Sequence, residues 1–363
     1  MTTSTMVYCY VGSSAGAPEP EALRVLSCDV ESGAMSLIQT VKGIEGTSYF
    51  QIDRDKRFLY SILGDERKCE TKGRAVRFSI DSGRIGKMDV LAELPCPAPC
   101  HVSLSPDERF FAFAAYGAGT AGIVSLEDGG VLSYVFPDDA MGPNAKRQKK
   151  AYAHCVFFTP DARRLGVVDL GCDRIRFFDS ATLSVDATLK IRADAGDGPR
   201  HAIWSNDGQF LFVVNELGSS VVSYSFDGAS FVRVGKRTLL PQDFNRWMPD
   251  GETLATKAAA VRMTEDGKFL LASNRGHDSV AFLAVDGRTG ELTLRNVAKL
   301  CGHSPRDFAL MPGGKFMVVG HELDDEIQSY RIDWETCDLT PVGSPIKAWR
   351  PVCMAFGTFM EVK

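Results

Sequence analysis

Several signals that assign proteins to whole classes are missing from this sequence. No apolar run approaches the roughly 18 residues that a transmembrane helix needs, and the first ten residues contain neither a basic side chain nor the hydrophobic stretch of a secretory signal. Basic residues are in slight deficit, since the formal net charge is −5, which argues against a general nucleic-acid or acidic-membrane surface. We therefore expect a cytoplasmic protein with no nucleic-acid partner and no membrane partner.

Two further patterns are absent. The ten cysteines are scattered without the spacing of a disulfide framework, so we expect free thiols, many of them buried as small apolar groups. No 3.6-residue periodicity occurs, which excludes a helical solenoid. The hydrophobic fraction of 44% is nevertheless that of a globular protein with an ample core.

A repeated phrase, a turn followed by an alternating apolar strand, is the main feature that is present. Its copies begin at Asp55, Asp107, Asp161, Asp207, Asp266 and Gly313, with a spacing of about 52 residues. The 363 residues therefore hold seven units. Another apolar strand precedes each copy, and a seventh such strand, 352–356, stands alone at the C-terminus. The N-terminal stretch 6–12 resembles the strand that follows each anchor.

The two chain ends therefore complete one unit. A period near 50 residues with about four short strands is typical of a propeller, and closing the ring in this way removes exposed sheet edges. We predict an all-β, seven-bladed β-propeller of four-stranded antiparallel blades, formed by residues 1–363 as a single domain and closed by pairing the N- and C-terminal segments in one blade. A pair of open β-sandwiches would explain neither the seven units nor the split ends.

Two positions in each repeat reach the same edge of the blade, seven residues before the anchor and nine after it. Charged side chains and histidine occupy these positions only in units three to six, as His154, Arg200, Arg306, Glu216, Arg275 and Glu322. A purely structural repeat would place similar residues all the way round. The bias predicts a functional sector at one end of the channel, although Arg200–Glu216 and Arg306–Glu322 would also suit two structural ion pairs.

Convergent arginines form an anion site, because a guanidinium offers a planar fork to a carboxylate or phosphate. Glu216 would orient Arg200 or Arg275 or act as a base, and His154 can exchange protons near neutral pH. Negative charge that develops on a carbonyl oxygen would be stabilised there.

The longest connections, 137–153 and 239–257, re-enter the blades at this same edge, where long loops commonly serve binding. The second contains Phe244, Arg246, Trp247 and Met248, which suit a lid. The first contains the basic run 146–150, for which a solvated loop is the ordinary interpretation.

Two motifs resemble known binding sites but lack the surrounding elements that such sites need. Residues 117–122 match the glycine pattern of a dinucleotide site, but a strand rather than a helix is predicted to follow. Cys96, Cys100 and His101 lack a second pair at metal-binding spacing. His101, His201 and His277 fit turns or the channel wall better than metal ligands. We expect no metal and no cofactor.

The sequence resembles the seven-bladed lactonase family, which includes propeller-type 6-phosphogluconolactonases and carboxymuconate-lactonizing enzymes. The matching phrases are Gly198-Pro-Arg-His201, Asn215-Glu-Leu217, Asn274-Arg-Gly-His-Asp278, Asp169-Leu-Gly171, Arg147-Gln148 and Ala153-His154. The resemblance implies that His154, Arg200, Glu216 and Arg275 form the catalytic group, and we expect Arg306, Arg147 and Glu322 to bind the substrate. Two departures, Ala259-Ala260 and Tyr152-Ala153, concern substrate identity more than fold.

The resemblance implies a metal-independent lactonase that hydrolyses an anionic sugar-acid lactone. Among such lactones, 6-phosphogluconolactone is the favoured candidate substrate. Two alternatives stay open at this point, a cycloisomerase that closes a carboxylated muconate and a propeller that only binds a protein partner. We expect a monomer or a weak homo-oligomer.

Overall fold

Every regular element in the described part of the chain is a β-strand. The computed structural model describes residues 3–16, 21–44, 46–64, 72–97, 99–139, 141–244 and 255–362. The strands form seven separate four-stranded antiparallel sheets, each of which is one blade. The predicted all-β propeller of seven four-stranded blades is therefore confirmed.

The strands follow one another in chain order around the ring. The first three, which belong to blade 7, are β1 (Thr3–Ser13), β2 (Leu23–Cys28) and β3 (Met35–Val41). Blade 1 contains β4 (Phe50–Ile52), β5 (Phe58–Leu63), β6 (Lys72–Asp81) and β7 (Arg84–Pro97). Blade 2 contains β8 (His101–Leu104), β9 (Phe110–Ala115), β10 (Thr120–Ser125) and β11 (Val131–Val135). Blade 3 contains β12 (Ala153–Phe158), β13 (Arg164–Asp169), β14 (Arg174–Asp179) and β15 (Val185–Arg192).

The remaining strands complete the ring. Blade 4 contains β16 (Pro199–Trp204), β17 (Phe210–Asn215), β18 (Ser220–Phe226) and β19 (Phe231–Thr238). Blade 5 contains β20 (Lys257–Met263), β21 (Phe269–Arg275), β22 (Ser279–Val285) and β23 (Leu292–Lys299). Blade 6 contains β24 (Pro305–Leu310), β25 (Phe316–His321), β26 (Glu326–Asp333) and β27 (Asp338–Lys347), and β28 (Pro351–Val362) returns to blade 7.

Closure joins the two ends of the chain in blade 7. Its strand order is β28-β1-β2-β3, and β28 pairs antiparallel with β1 in a register that places Val11 opposite Met354. The innermost strands contact one another in sequence around the ring, including β28 with β4. The prediction that the C-terminal strand supplies the inner strand of the split blade is confirmed.

Apolar packing between neighbouring blades holds the ring together. The buried hydrophobic residues of the described chain fall into seven clusters, one at each interface between adjacent blades. The cluster between blades 7 and 1, for example, contains Tyr10, Leu23, Leu59 and Phe78. Because each blade buries both faces, removal of any one would expose apolar surface on two neighbours.

The repeated anchors form the turns between the first and second strands of blades. In four of them a serine or threonine hydroxyl donates to the anchor carboxylate two residues later, as Ser105 does to Asp107 at 2.6 Å and Thr264 to Asp266 at 2.7 Å. The next residue has a positive φ, which explains Gly208 at +73° and Gly267 at +70°. These turns lie at the end of each blade opposite to the candidate site.

Candidate functional site

A β-bulge starts the inner strand in several blades and places the candidate residues in the channel. In blade 3, Ala153 lies opposite Asp169 and Cys155 lies opposite Val168, so that His154 is the extra residue. The same irregularity makes extra residues of Arg200 in blade 4 and Arg306 in blade 6. Bulges redirect side chains and are frequent beside active sites. The three residues therefore leave the regular alternation of the sheet at the same level of the ring.

Glu216 lies at the centre of the site, immediately after β17. Its Oε2 accepts hydrogen bonds from Arg200 Nε at 3.1 Å and from Arg275 Nη2 at 2.8 Å. Its Oε1 accepts one from Arg147 Nη2 at 2.6 Å. The carboxylate is 3% exposed, and His154 Nε2 lies 3.9 Å from Oε2. We call these five residues the Glu216 cluster, and they come from blades 3, 4 and 5 and from the long connection before β12.

Arg147 reaches the cluster from the basic run, and this overturns the interpretation of that run as a solvated loop. Gln148 is 2% exposed and donates to the carbonyl of Leu170 at 2.9 Å. Lys150 donates to the carbonyl of Gly117 at 2.6 Å. Arg147, Gln148 and Lys150 are thus held against the blades, while Lys146 and Lys149 of the same run are exposed. The predicted position of long connections before β12 and β20 is confirmed.

The charges of the cluster support one another. Burial alone would raise the pKa of Glu216, but the charges of Arg275, Arg200 and Arg147 more than offset this and hold it well below its usual range. Burial and the neighbouring Arg275 lower the pKa of Arg200 to about 10, so the guanidinium stays protonated at neutral pH. Arg200 Nη1 also donates to the carbonyl of Ala259 at 2.8 Å. The carboxylate and the arginines are thus charged and fixed in place.

His154 is a neutral imidazole beside this charged group. Burial is the largest cause of a pKa well below the usual value, Arg200 adds to it, and Glu216 opposes it. The ring contacts Tyr116 edge-on, with centroids 5.3 Å apart, and Tyr116 stacks on Tyr152 at 4.4 Å. Two tyrosines of blades 2 and 3 therefore form the wall that holds the imidazole.

Glu322 organises a second group at the same end of the channel. Its Oε1 accepts hydrogen bonds from Arg306 Nη1 at 3.2 Å and from Arg350 Nη2 at 2.7 Å. Its Oε2 accepts one from the hydroxyl of Ser304 at 3.3 Å. The structure thus contains both repeated pairs, Arg200–Glu216 and Arg306–Glu322. The two pairs differ in their surroundings, because Glu216 has two further arginines and a histidine beside it.

A cavity of about 610 Å³ joins the two groups. Arg275, which bonds Glu216, lines it together with Arg306, Glu322, Arg350 and Lys257. The sequence comparison missed Lys257 and Arg350. Lys257 lies two residues before the compared position 259 of its unit, and Arg350 lies two residues before the compared position 352. A comparison made two residues earlier in each unit would have found both.

Deeper in the channel lies a further polar layer that was also missed. Arg262 Nη2 donates to Asp307 Oδ1 at 2.7 Å, and Tyr49 stacks on His101 with centroids 4.0 Å apart. His201 lies between the layers, 5.0 Å from His101 and 5.5 Å from His154 by ring centroids. His101 and His201 thus line the channel wall, whereas His277 is on the turn after β21, where it bonds Ser279 at 2.7 Å.

Three further expectations concern the predicted lid, the glycine pattern and the cysteines. Phe244 contacts His277 edge-on at 4.9 Å, while Arg246, Trp247 and Met248 of the predicted lid lie outside the described residues. The strand β10 (Thr120–Ser125) begins within the glycine pattern 117–122 and continues past it, so a strand rather than a helix follows the glycines, as expected. The nine cysteines of the described chain are free thiols.

Within the residues that the structure describes, no group of three or more His, Cys, Asp or Glu side chains is arranged to hold a metal ion. None of their segments forms a helix that is long and apolar enough to cross a membrane.

A seven-bladed propeller with an arginine-rich carboxylate site at one end of its channel is the class that fold and site define. Residues 8–356 match the family described as "Lactonase, 7-bladed beta-propeller". The chain therefore belongs to this family, as the resemblance of its motifs indicated.

Individual relatives are similar over nearly their whole length. The 6-phosphogluconolactonase of Bacillus subtilis is 27% identical over 93% of this chain and 94% of its own. A Lactobacillus plantarum protein of known structure is 26% identical, with a TM-score of 0.83 over 97% of this chain and 99% of its own. The periplasmic gluconolactonase of Pseudomonas aeruginosa has a TM-score of 0.85 over 97% and 99% at 24% identity, which shows the shared fold.

Proposed function

We propose that this protein is a lactonase that hydrolyses a sugar-acid lactone, with 6-phosphogluconolactone as its substrate, at the Glu216 cluster. The observation that carries the proposal is the convergence of three arginines on a buried carboxylate with a neutral histidine 3.9 Å away. The family and the Bacillus subtilis relative that is named a 6-phosphogluconolactonase support it.

The arginines would bind the anionic substrate and the oxyanion. Both oxygens of Glu216 are taken by guanidinium groups, so the carboxylate is a positioning group rather than a nucleophile. Three arginines surround one carboxylate, so the site has an excess of positive charge and is partly shielded from water. Preorganised positive groups of this kind stabilise the charge that develops on a carbonyl oxygen during acyl transfer.

His154 would move the proton. Because its pKa lies below the usual range, the imidazole is free to accept a proton from a water molecule whose oxygen bonds to the lactone carbonyl carbon. The oxyanion then collapses, the ring C–O bond breaks, and the imidazolium returns the proton to the ring oxygen to give the hydroxy acid. Glu216, 3.9 Å from Nε2, stabilises the imidazolium while it exists.

Hydrolysis of three lactones by the purified protein tests the proposal, with the spontaneous rate subtracted. We expect turnover of 6-phosphogluconolactone, slower turnover of glucono-lactone and none of carboxymuconolactone. His154→Ala should lower kcat by about 10²–10⁴-fold. A chelator should have no effect, since the expected chemistry uses no metal.

The control variant is His321→Gln. It removes a buried imidazole that is hydrogen-bonded to the Tyr330 hydroxyl at 2.9 Å, outside the Glu216 cluster, and should retain kcat. Absence of turnover above background with every lactone would refute the lactonase, and turnover of carboxymuconolactone alone would favour the cycloisomerase. The cytoplasmic location and the expected monomer or weak homo-oligomer stay predictions.

A further inference from the structure

Two like charges face each other across the first strand pair of blade 5. In the register of β20 and β21, Lys257 is directly opposite Arg275. Directly opposed residues project from the same face of an antiparallel pair, and like charges in that arrangement destabilise the sheet. Two like charges that repel each other therefore lie where the cavity of the candidate site opens.

Within the described residues, only one of the two charged groups has a carboxylate partner. Arg275 has Glu216 as its partner at 2.8 Å, whereas Lys257 forms no ion pair with a carboxylate of the described residues. The Lys257 side chain is half-buried. Burial is the first cause that lowers its pKa, and Arg147 and Arg275 lower it further. A second anion next to Lys257 would relieve both the repulsion and the cost of burial.

The cavity beside Lys257 is built to receive that anion. Its volume is about 610 Å³, and Lys257, Arg275, Arg306 and Arg350 line it. Glu322 bonds both Arg306 and Arg350 through one oxygen, which fixes the two guanidinium groups at the pocket. We call this group the Lys257 pocket.

The other carboxylates of the pocket are already engaged. Asp278 Oδ1 accepts backbone N–H groups of Gly276 and Ser304 at 3.1 and 2.8 Å. Asp324 accepts the backbone N–H of His303 at 2.6 Å and contacts the imidazole at 3.0 Å. Neither forms an ion pair with Lys257, so its ammonium group has no carboxylate partner among the residues that the structure describes.

We propose that the Lys257 pocket is the subsite for the phosphate of the substrate, and that Lys257 and Arg350 set the preference for a phosphorylated over an unphosphorylated lactone. This inference rests on the proposed function. Arg275 borders both the Glu216 cluster and the pocket, so a lactone bound across it would have its carbonyl at one and its phosphate at the other. A guanidinium matches the geometry of phosphate oxygens, and an ammonium adds a compact charge.

The test is the ratio of kcat/KM for 6-phosphogluconolactone to that for glucono-lactone. Lys257→Met should lower this ratio about tenfold to a hundredfold, the value of a lost charge-assisted hydrogen bond, mainly through KM. Arg350→Met should act in the same direction. An equal change for both substrates, or no change, would overturn the subsite.

The matched control is Lys268→Met. Lys268 belongs to the same hairpin but lies in the turn at its other end, paired with Asp266 at 3.2 Å, so the variant makes the same change in net charge away from the pocket. It should leave the ratio within about twofold. Lys257→Met should also unfold at the same or higher urea concentration than the wild type, because it removes a repulsion. A clear loss of stability would indicate a structural role instead.

Direct binding separates this inference from the proposed function. Calorimetry with 6-phosphogluconate and with gluconate as probes needs no turnover. If the protein hydrolyses neither lactone but binds 6-phosphogluconate in a way that Lys257→Met weakens and gluconate does not reproduce, the subsite stands and the lactonase falls. If the protein hydrolyses both lactones and the variant binds 6-phosphogluconate as tightly as the wild type, the subsite falls and the lactonase stands.

Discussion

Blades 4 and 6 carry the same pair of residues at the same repeat positions, and the two pairs have different surroundings. Arg200 bonds Glu216 at 3.1 Å and Arg306 bonds Glu322 at 3.2 Å. The Arg200 side chain is 4% exposed, whereas that of Arg306 is 20% exposed. Glu216 receives arginines from two further segments and has His154 beside it, while Glu322 receives Arg350 and a serine hydroxyl.

The comparison shows how one repeated ion pair can serve two purposes. Buried and surrounded by guanidinium groups, Glu216 holds a fixed charge pattern where water is scarce and where bond making would be assisted most. At the more open edge, Glu322 positions two arginines towards a cavity that a ligand can enter. We infer that the first pair belongs to the reaction and the second to binding.

Removal of the two carboxylates should have unequal effects on stability. Glu216→Gln leaves buried arginines without their counter-charge, and loss of one partner of a buried ion pair costs about 3–5 kcal/mol. Glu322 is buried to the same degree, but its partners Arg306 and Arg350 are 20% and 30% exposed and can be hydrated, so Glu322→Gln should cost less. Urea unfolding measures both, and equal losses would contradict this dependence on the exposure of the arginines.

Removal of one arginine from each group should separate turnover from binding. Arg147→Met takes away one of three donors to Glu216 and should lower kcat about tenfold. Arg350→Met removes one of the arginine donors to Glu322 and should instead raise KM for the phosphorylated lactone. Steady-state kinetics of the two variants side by side measures this split. A fall in kcat for both, or a rise in KM for both, would remove the distinction between the pairs.

The pH dependence of stability should differ between the two groups in sign. Burial and Arg200 hold the pKa of His154 below its usual value, so below about pH 6.5 the unfolded chain binds more protons and stability falls. At the Glu322 side, the exposed His303 has a pKa raised by Asp324, so its small contribution is present at low pH and is lost as pH rises.

Unfolding measured between pH 5 and pH 8 tests this contrast. His154→Gln should reduce the loss of stability on the acid side by up to about 1.4 kcal/mol per pH unit, the linkage of one titrating group. His303→Gln should not reduce it. An acid-side slope that is the same in His154→Gln as in the wild type would show that His154 is already protonated in the folded protein.

The fold was predictable because each unit carries its own local signals. A hydroxyl residue two places before the anchor Asp, and a residue that adopts positive φ after it, define a turn wherever they occur, and these turns set the repeat period. The candidate site was partly predictable for the same reason. His154, Arg200, Glu216 and Arg275 occupy equivalent repeat positions, and the structure brings them together, although their roles stay predictions.

The rest of the site depends on contacts that the spacing of residues in the sequence does not predict. Arg147 comes from an insertion, so nothing in the repeat predicts that its guanidinium reaches Glu216. Lys257 and Arg350 lie two residues before the compared positions, and the Arg262–Asp307 pair is deeper in the channel than the edge that was compared. The bulges that turn His154 and Arg200 into the channel arise from strand register and are invisible in a single sequence.

The most direct test of the account is kcat for 6-phosphogluconolactone hydrolysis by Glu216→Gln and by Glu322→Gln, each measured per folded molecule at saturating substrate. If the Glu216 cluster is where the lactone ring opens, the first variant should misplace the arginines that stabilise the oxyanion, and kcat should fall by about 10²–10³-fold, the range seen when one such donor is lost. It should fall less than about tenfold in the second, whose effect should appear in KM. Equal kcat values for the two variants would contradict the assignment of the reaction to the Glu216 cluster.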